Sequence, residues 1–326
     1  MVDQIVTLED VALDVCLVSP PNPSMLEPRI APPLGLLYLA AWADEFHPGL
    51  ARSVVIDLNT KCFAPESPKG HATHDFSLTR CMSEIPSGCQ VYGLQLASMQ
   101  MPHGISISKL LREREPNALI VCGGSHASAV PNECAQDFDV VITQEGEIVF
   151  SEVLLAWKEA ISHTGAQSEL AHALLKTKKR KESEDGLVLE GKKIEPLDQC
   201  PFPARYHLDF SEYVRKVAGQ PATNIITSRG CPARCIFCQQ DSLWGRGLRI
   251  MSTDRILAEV DNIFQTTGIR NLLFLDDSLT ARKRTEMIKL AHGLGERGVK
   301  WRGWTRANLC ARPGEAEVLK AMADGG

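Results

Sequence analysis

Three cysteines stand within eight residues in the stretch Cys231-Pro232-Ala233-Arg234-Cys235-Ile236-Phe237-Cys238. Their spacing is C-x3-C-x2-C. The β-branched run at residues 224–228 precedes them and predicts a strand, and the amphipathic stretch at about residues 253–267 predicts a helix. The cysteines therefore belong to the loop of a βα unit.

Two more βα units follow directly. Strands are predicted at residues 271–275 and 300–307, and helices at about 281–297 and 314–322. Three successive units are typical of a parallel α/β barrel of the TIM type, whose active site lies on the loops after the strands. The sequence therefore predicts half of such a barrel over residues 223–326, with the cysteines on its first active-site loop.

The N-terminal part alternates short apolar runs with helical patterns. Strands are predicted at residues 15–18, 54–56, 92–96, 119–122 and 140–142, with helices at about 34–46, 105–115 and 148–160. This α/β order predicts a doubly wound parallel sheet of the Rossmann or flavodoxin type over residues 1–163, which binds ligands at the carboxyl ends of its strands. Residues 164–222 are polar and predict a connector, in which the basic run at 176–181 is offset by adjacent acids.

The composition excludes several classes of protein. The chain has 326 residues, 44% of them apolar, and a formal charge of −5, which disfavours disorder and nucleic-acid binding. The first ten residues carry no signal-peptide pattern, and the longest apolar stretch, at 34–42, is shorter than the roughly 20 residues of a membrane span. We therefore expect a soluble, cytoplasmic protein with reduced cysteines, no membrane span and no nucleic-acid partner.

The number of grouped thiols indicates what they bind. Tetrahedral zinc sites usually have four protein ligands, and no second Cys or His pair stands nearby at zinc spacing. A cubane iron–sulfur cluster on three thiolates leaves one iron open to a small molecule. The residues favour a cluster, with zinc or coincidence as alternatives. Cys16 and Cys122 lie in apolar runs and are predicted to be buried thiols.

This cysteine spacing, with an aromatic residue at Phe237 on the loop after the first barrel strand, resembles that of the radical S-adenosylmethionine (SAM) enzymes. The resemblance implies that Cys231, Cys235 and Cys238 bind a 4Fe-4S cluster whose fourth iron is chelated by the methionyl group of SAM. The reduced cluster of the family cleaves SAM to a 5′-deoxyadenosyl radical, so an external electron donor of the flavodoxin or ferredoxin type is also implied. The backbone beside Phe237 would lie against the adenine.

The N-terminal half extends the resemblance to the cobalamin (B12)-binding subfamily of radical SAM proteins. The matching segments are Leu17-Val18-Ser19-Pro20-Pro21, Pro32-Pro33-Leu34-Gly35-Leu36-Leu37-Tyr38-Leu39-Ala40, Gly123-Gly124-Ser125-His126, Glu145-Gly146-Glu147, Pro201-Phe202-Pro203-Ala204-Arg205 and Phe274-Leu275-Asp276-Asp277-Ser278. Together they cover nearly the whole chain. The resemblance implies cobalamin contacts at Pro21, Ser98, Gly123, Gly124, Ser125, His126, Glu145 and Gly146.

One segment departs from many cobalamin domains. They place a D-x-H-x-x-G motif after the first strand to coordinate cobalt, whereas this chain has Ser19-Pro20-Pro21-Asn22-Pro23. The resemblance then implies cobalamin without a histidine lower ligand, as in many radical methylases. His126 is the nearest alternative ligand, although it could equally contact the nucleotide tail or cap a helix.

Three further side chains are candidate SAM contacts. Asp276 and Asp277 follow the second predicted barrel strand, where they could accept bonds from the SAM amine or could simply cap a helix. Arg306, on the third predicted strand, could reach the methionyl carboxylate or could form a structural ion pair. Arg229, just before the first cysteine, would favour the thiolate or could have a surface role. No catalytic residue is assigned.

The resemblance implies an enzyme. The function it favours is a cobalamin-dependent radical SAM methyltransferase, which methylates an unactivated carbon by way of a 5′-deoxyadenosyl radical and methylcobalamin. The alternatives are an oxidative cyclase with the same cofactors and a truncated, non-catalytic protein that binds cobalamin and the cluster.

The chain ends after the third βα unit, where radical SAM barrels usually have six. We therefore expect a fragment of a longer protein or, alternatively, a partner chain that completes the barrel. The peptide or small-molecule substrate stays unassigned, because the missing loops help to shape the pocket.

Overall fold

The computed structural model describes residues 12–64, 73–162, 165–179 and 184–326. The predictions on a signal peptide at the N-terminus and on the end of the basic run fall outside these residues. The chain divides into two compact units, Met1–Pro28 with Pro33–Lys193 and Arg29–Pro32 with Ile194–Gly326. No helix in the part of the chain that is described is both long and apolar enough to cross a membrane.

A six-stranded parallel sheet forms the centre of the first unit. The strands of this unit are β1 Leu13–Ser19, β2 Ala51–Asp57, the short antiparallel pair β3 Phe63–Ala64 and β4 Thr73–His74, then β5 Val91–Gln95, β6 Leu119–Gly123, β7 Val140–Thr143 and β8 Leu187–Glu190. The sheet order is β2-β1-β5-β6-β7-β8, with every neighbouring pair parallel. The predicted doubly wound sheet is confirmed, and its direction of winding reverses between β1 and β5, where such sheets bind ligands.

Helices follow the strands of this sheet. They are α1 Leu34–Phe46, α2 Leu58–Lys61, α3 Leu78–Glu84, α4 Met101–Arg114, α5 Ser125–Ala129, α6 Pro131–Cys134, α7 Glu147–Ile161 and α8 Glu169–Lys178, with a 3-10 turn at Ser98–Gln100. Val15, Cys16, Leu17 and Val18 are completely buried, because a strand covered on both faces needs a continuous apolar run. Cys122 is also buried, and burial raises the pKa of the Cys16 and Cys122 thiols.

The stretch predicted as a connector contains regular structure. Helix α8 begins where the Ser168 hydroxyl accepts a 3.2 Å bond from Ala171 N, and β8 pairs with β7. Lys178, in the basic run, lies 3.3 Å from the buried carboxylate of Asp139. This part of the stretch packs in the first unit because buried partners outweigh its polar composition. The domain bounds proposed from sequence stay a prediction.

The second unit holds a four-stranded sheet in the order β14-β13-β10-β9. Its strands are β9 Lys216–Val217, β10 Gln220–Ile225, β13 Asn271–Phe274 and β14 Trp301–Gly303, and a separate antiparallel pair is formed by β11 Ser228–Arg229 and β12 Arg249–Ile250. The helices are α9 Gln240–Trp244, α10 Thr253–Thr267, α11 Arg284–Glu296, α12 Ala307–Cys310 and α13 Ala316–Asp324, with 3-10 turns at Leu197–Gln199, Arg205–His207, Phe210–Glu212 and Leu279–Ala281. Strands β10, β13 and β14 are parallel, which confirms the half-barrel.

One strand is shorter than predicted. Strand β14 ends at Gly303, because its partner β13 ends at Phe274, the residue paired with Gly303. Arg306 therefore does not lie on the third strand, as the sequence suggested, but directly precedes α12.

Candidate functional site

The cysteine loop begins after β10 and is closed by β11 and β12, which pair Ser228 with Ile250 and Arg229 with Arg249. Gly230, just inside this closure, has φ +89°, and a Cβ there would lie 2.3 Å from the Gly247 carbonyl oxygen. Only glycine fits this close approach. The base of the loop is therefore fixed by the fold.

The three cysteines differ in exposure. Cys231 and Cys235 are half-buried, Cys238 is exposed, and none is in a disulfide. Cys238 N donates to the Cys235 carbonyl at 3.1 Å, and the side chains of Ile236 and Phe237 project into solvent. Within the described ranges, no group of three or more His, Cys, Asp or Glu side chains is arranged to hold a metal ion.

The donor set nevertheless suits an iron–sulfur cluster. Three free thiols on one exposed loop, with its base held in place, provide soft sulfur ligands and leave one coordination position of a cubane open. Because metal sites commonly form together with local folding, binding would draw the three sulfurs together.

Arg306 contacts one of these cysteines. Its Nη1 lies 3.1 Å from the Cys235 Sγ, and its Nε donates to Asn308 Oδ1 at 3.2 Å. The guanidinium predicted to meet the SAM carboxylate thus lies against a candidate cluster ligand. A SAM contact for Arg306 stays a prediction.

Asp276 is almost completely buried, and its carboxylate is bonded on several sides. Oδ1 accepts from Thr227 N at 2.7 Å and from Ser228 N at 3.1 Å, while Oδ2 accepts from Arg282 Nη2 at 3.0 Å and from the Thr227 hydroxyl. These bonds join the ends of β10 and β13 below the cysteine loop. Asp276 therefore holds these strand ends together, and a SAM contact for Asp276 stays a prediction.

Asp277 has a different environment. Gln240 Nε2 donates to its Oδ1 at 2.7 Å, which links it to the helix that follows the cysteines. Burial, and secondarily the charge of Asp276, raises the pKa of the Asp277 carboxyl to about 6. Gln240 Oε1 and Ser278 Oγ are buried and have no hydrogen-bond partner among the described residues. This edge of the sheet therefore offers polar groups to a ligand.

In the first unit, buried amide side chains hold the loop after β1. Gln100 Nε2 donates to the Pro20 carbonyl at 2.5 Å, and Asn59 Oδ1 accepts from Asn22 N at 2.8 Å. Pro21, a predicted cobalamin contact, is buried in this loop. Neither Gln100 nor Asn59 was singled out in the sequence, since isolated amides carry no motif.

The glycine pair after β6 lies against the end of β5. Gly124 has φ +101°, and a Cβ there would lie 2.8 Å from the Leu96 carbonyl oxygen. His126 N donates to that same oxygen at 3.0 Å, and His126 Nδ1 lies 3.0 Å from Ser98 Oγ. The fold thus brings Gly124, His126 and Ser98, three predicted cobalamin contacts, to the edge at which the winding reverses.

The remaining predicted contacts lie at neighbouring strand ends. Ser125 is exposed at the start of α5, Glu145 is buried, and Gly146 directly precedes α7. Gln144 has φ +56°, which is strained for a non-glycine residue, and its N donates to Ser128 Oγ at 2.8 Å. No sequence pattern indicated this strain, because glutamine has no preference for that conformation.

Comparison with known proteins identifies the second unit. Residues 225–326 match the family model of the Radical SAM superfamily, so the half-barrel with its cysteine loop is a radical SAM domain. An uncharacterized methyltransferase of Pyrococcus horikoshii is 25% identical over 96% of this chain and 63% of the relative. The cobalamin-dependent radical SAM methyltransferase TokK of Streptomyces tokunonensis is 24% identical over 72% of this chain and 35% of its own length.

Solved structures share the fold of nearly the whole chain. The cobalamin-dependent SAM radical enzyme OxsB, with aqua-cobalamin and SAM bound, aligns with a TM-score of 0.68 at 17% identity over 97% of this chain and 43% of its own. The radical SAM methyltransferase TsrM of Kitasatospora setae aligns with a TM-score of 0.58 at 16% identity over 97% of this chain and 58% of its own. Residues 225–326 thus match the Radical SAM superfamily, and the chain shares the fold of these cobalamin-dependent enzymes.

The chain is shorter than its relatives. It spans 63% of the Pyrococcus protein and 60% of cytidylyl-2-hydroxyethylphosphonate methyltransferase of Streptomyces wedmorensis, to which it is 26% identical over 92% of its own length.

Proposed function

We propose that this chain binds the cobalamin and the 4Fe-4S cluster of a radical SAM methyltransferase that acts on an unactivated carbon. The observation that carries the proposal is the set of three free cysteines on the loop closed by β11 and β12, at the carboxyl end of the first parallel strand of a radical SAM domain. The names of the curated relatives support methyl transfer over an oxidative cyclase.

We assign Cys231, Cys235 and Cys238 as cluster ligands. When bound, the cluster and SAM supply a carbon-centred radical, and cobalamin supplies the methyl group. The chain's own part is to hold and orient these groups. Asp276 fixes the strand ends through its buried bonds, so the SAM amine is assigned to Asp277, whose second oxygen has no hydrogen bond among the described residues.

Cobalamin is assigned to the strand ends of the first unit. Gly123 and Gly124 let the loop after β6 pack closely against the ends of the neighbouring strands, and the ring of His126 is oriented by Ser98 at 3.0 Å. The loop after β1, in which Pro21 is buried, contains no histidine that could ligate cobalt. We propose that cobalamin binds at these strand ends and that no histidine of that loop ligates its cobalt.

We further propose that the protein works in the cytoplasm with an external one-electron donor of the flavodoxin or ferredoxin type. The methyl acceptor is left open, since the acceptors named for the relatives range from a phosphonate to a hopanoid.

The test is product analysis with the chain as it exists. The chain is reconstituted anaerobically with iron, sulfide and cobalamin, reduced, and given SAM. No methyl acceptor is added, so the methyl group of SAM can pass only to cobalamin. Formation of S-adenosylhomocysteine up to one equivalent per cobalamin, together with 5′-deoxyadenosine, supports the methyltransferase. 5′-Deoxyadenosine alone would favour the cyclase. The absence of both products would support the non-catalytic alternative.

A further inference from the structure

We propose that Arg306 is a positioning residue that raises the reduction potential of the cluster by donating to the Cys235 sulfur. This inference rests on the proposed function, because it requires Cys235 to be a cluster ligand. The observation behind it is the 3.1 Å distance between Arg306 Nη1 and Cys235 Sγ.

The guanidinium is oriented toward the sulfur. Asn308 Oδ1 accepts from Arg306 Nε at 3.2 Å, and Arg306 lies directly before α12, so the backbone that carries both side chains is ordered by a helix. A planar guanidinium held at one nitrogen has little freedom to turn another nitrogen away. The bond to Asn308 therefore holds the guanidinium in the orientation that contacts the Cys235 sulfur.

The positive charge of Arg306 is not neutralised nearby. No carboxylate in the described part of the chain forms an ion pair with it, whereas Arg246 pairs with Asp241 at 2.9 Å and Arg297 pairs with Asp261 at 2.7 Å. Among the described residues, no carboxylate therefore competes with the Cys235 sulfur for the charge of Arg306.

Only one of the three cysteines receives such a bond. Cys231, Cys235 and Cys238 lie on the same loop, and of these three only Cys235 receives a hydrogen bond from a cationic side chain among the described residues. Reduction adds negative charge to an iron–sulfur cluster and its thiolates, and hydrogen bonds to the sulfurs favour the reduced form. The iron held by Cys235 would feel this effect most.

The experiment measures the midpoint potential of the reconstituted chain without SAM, by a redox titration followed with electron paramagnetic resonance. Arg306→Gln removes the charge but keeps a polar side chain, and Arg306→Lys keeps the charge. Arg302→Gln is the matched control, because Arg302 is an exposed arginine on β14 of the same unit. Iron and sulfide content confirms equal loading.

We expect Arg306→Gln to lower the equilibrium constant for reduction about tenfold, a shift of ~59 mV for one electron. Arg306→Lys should restore part of the shift, and Arg302→Gln should leave the potential unchanged. Equal potentials for the wild type and Arg306→Gln would overturn the proposal, as would an equal shift in Arg302→Gln.

Two further readouts separate the possible failures. If Arg306→Gln does not bind a cluster, Asn308→Ala is measured instead. This variant keeps the arginine but removes the acceptor of its Nε, so the cluster potential should fall by a smaller amount. An unchanged potential overturns the proposal. If Arg306 is instead a SAM contact, Arg306→Gln will keep the potential and need more SAM to change the spectrum. A wild-type chain that forms no cluster contradicts the proposed function itself.

Discussion

Asp276 and Asp277 are adjacent in the chain, but their carboxylates lie in different environments. The first carboxylate accepts bonds from two backbone N–H groups and an arginine, so its charge is compensated inside the fold. The second is partly buried next to that charge, and the pKa of Asp277 rises to about 6. Sequence alone left both residues with the same two candidate roles, a SAM contact or a helix cap, because residue type does not reveal which carboxylate points into the protein.

The raised pKa predicts a pH-dependent effect of Asp277→Asn. A raised carboxyl pKa means that the folded state binds the proton of Asp277 more tightly than the unfolded chain does. The stability that results from this tighter binding is lost as pH rises through about 6. At about pH 7.5 the variant should therefore raise the free energy of unfolding by about 1–2 kcal/mol, after allowance for the exposed part of the side chain.

Urea unfolding of the wild type and Asp277→Asn at about pH 7.5 and about pH 4.5 checks this prediction. The gain should shrink at the lower pH, where the wild-type carboxyl is largely protonated in the folded state. Glu190→Gln, at an exposed residue of β8, serves as the control. The same gain at both pH values would show that the charge of Asp277 is not the cause.

At the scale of elements, Asp276 connects strand ends that the half-barrel needs. Replacing it with alanine leaves the buried Arg282 guanidinium without its carboxylate and frees the Thr227 and Ser228 N–H groups. Breaking a buried ion pair in this way typically costs about 3–5 kcal/mol. We expect Asp276→Ala to lose that much stability in urea unfolding.

The control for this prediction is Lys289→Ala, which removes an exposed ion pair with Asp254 on the same unit. Exposed pairs contribute about 0–1 kcal/mol, so this variant should change little. Equal losses in the two variants would mean that the Asp276 network does not hold the strand ends.

The substitution Gly124→Ala tests the close approach between the loops after β5 and β6. Alanine at this position must adopt φ +101° and place a Cβ 2.8 Å from the Leu96 carbonyl oxygen. At Gly88, alanine meets a similar φ of +80° but has open space around it. Strain alone costs about 1–3 kcal/mol.

Gly124→Ala should therefore destabilise the protein more than Gly88→Ala in thermal unfolding, and it alone should weaken cobalamin binding measured by titration. If both variants behave alike, the close contact has no consequence of its own.

The elements were predictable where a local pattern specifies them. Apolar runs predicted the parallel sheet, and the flanking strand and helix predicted the loop that carries the three cysteines. The pattern did not show that β14 stops at Gly303, because the end of a strand depends on the length of its neighbour. It also missed α8 and β8, whose polar composition resembles a linker until their buried partners are known.

At the scale of the whole molecule, the two units differ in fold, and in each the carboxyl ends of parallel strands form the edge at which we propose a cofactor binds. The cofactor class could be inferred from one spacing of three cysteines and a few glycine-rich segments. Contacts such as Arg306 with Cys235 could not, since they join residues 71 positions apart in the chain.

The measurement that tests the account most directly is the electron paramagnetic resonance spectrum of the reduced, iron- and sulfide-reconstituted chain, with and without SAM. Cys235→Ala removes a proposed ligand, and Cys310→Ala, a free cysteine outside the loop, is its control. We predict a cubane signal in the wild type and in Cys310→Ala that changes when SAM is added, and its loss in Cys235→Ala. A wild-type chain without a cubane signal, or a cubane signal unchanged in Cys235→Ala, would contradict the account.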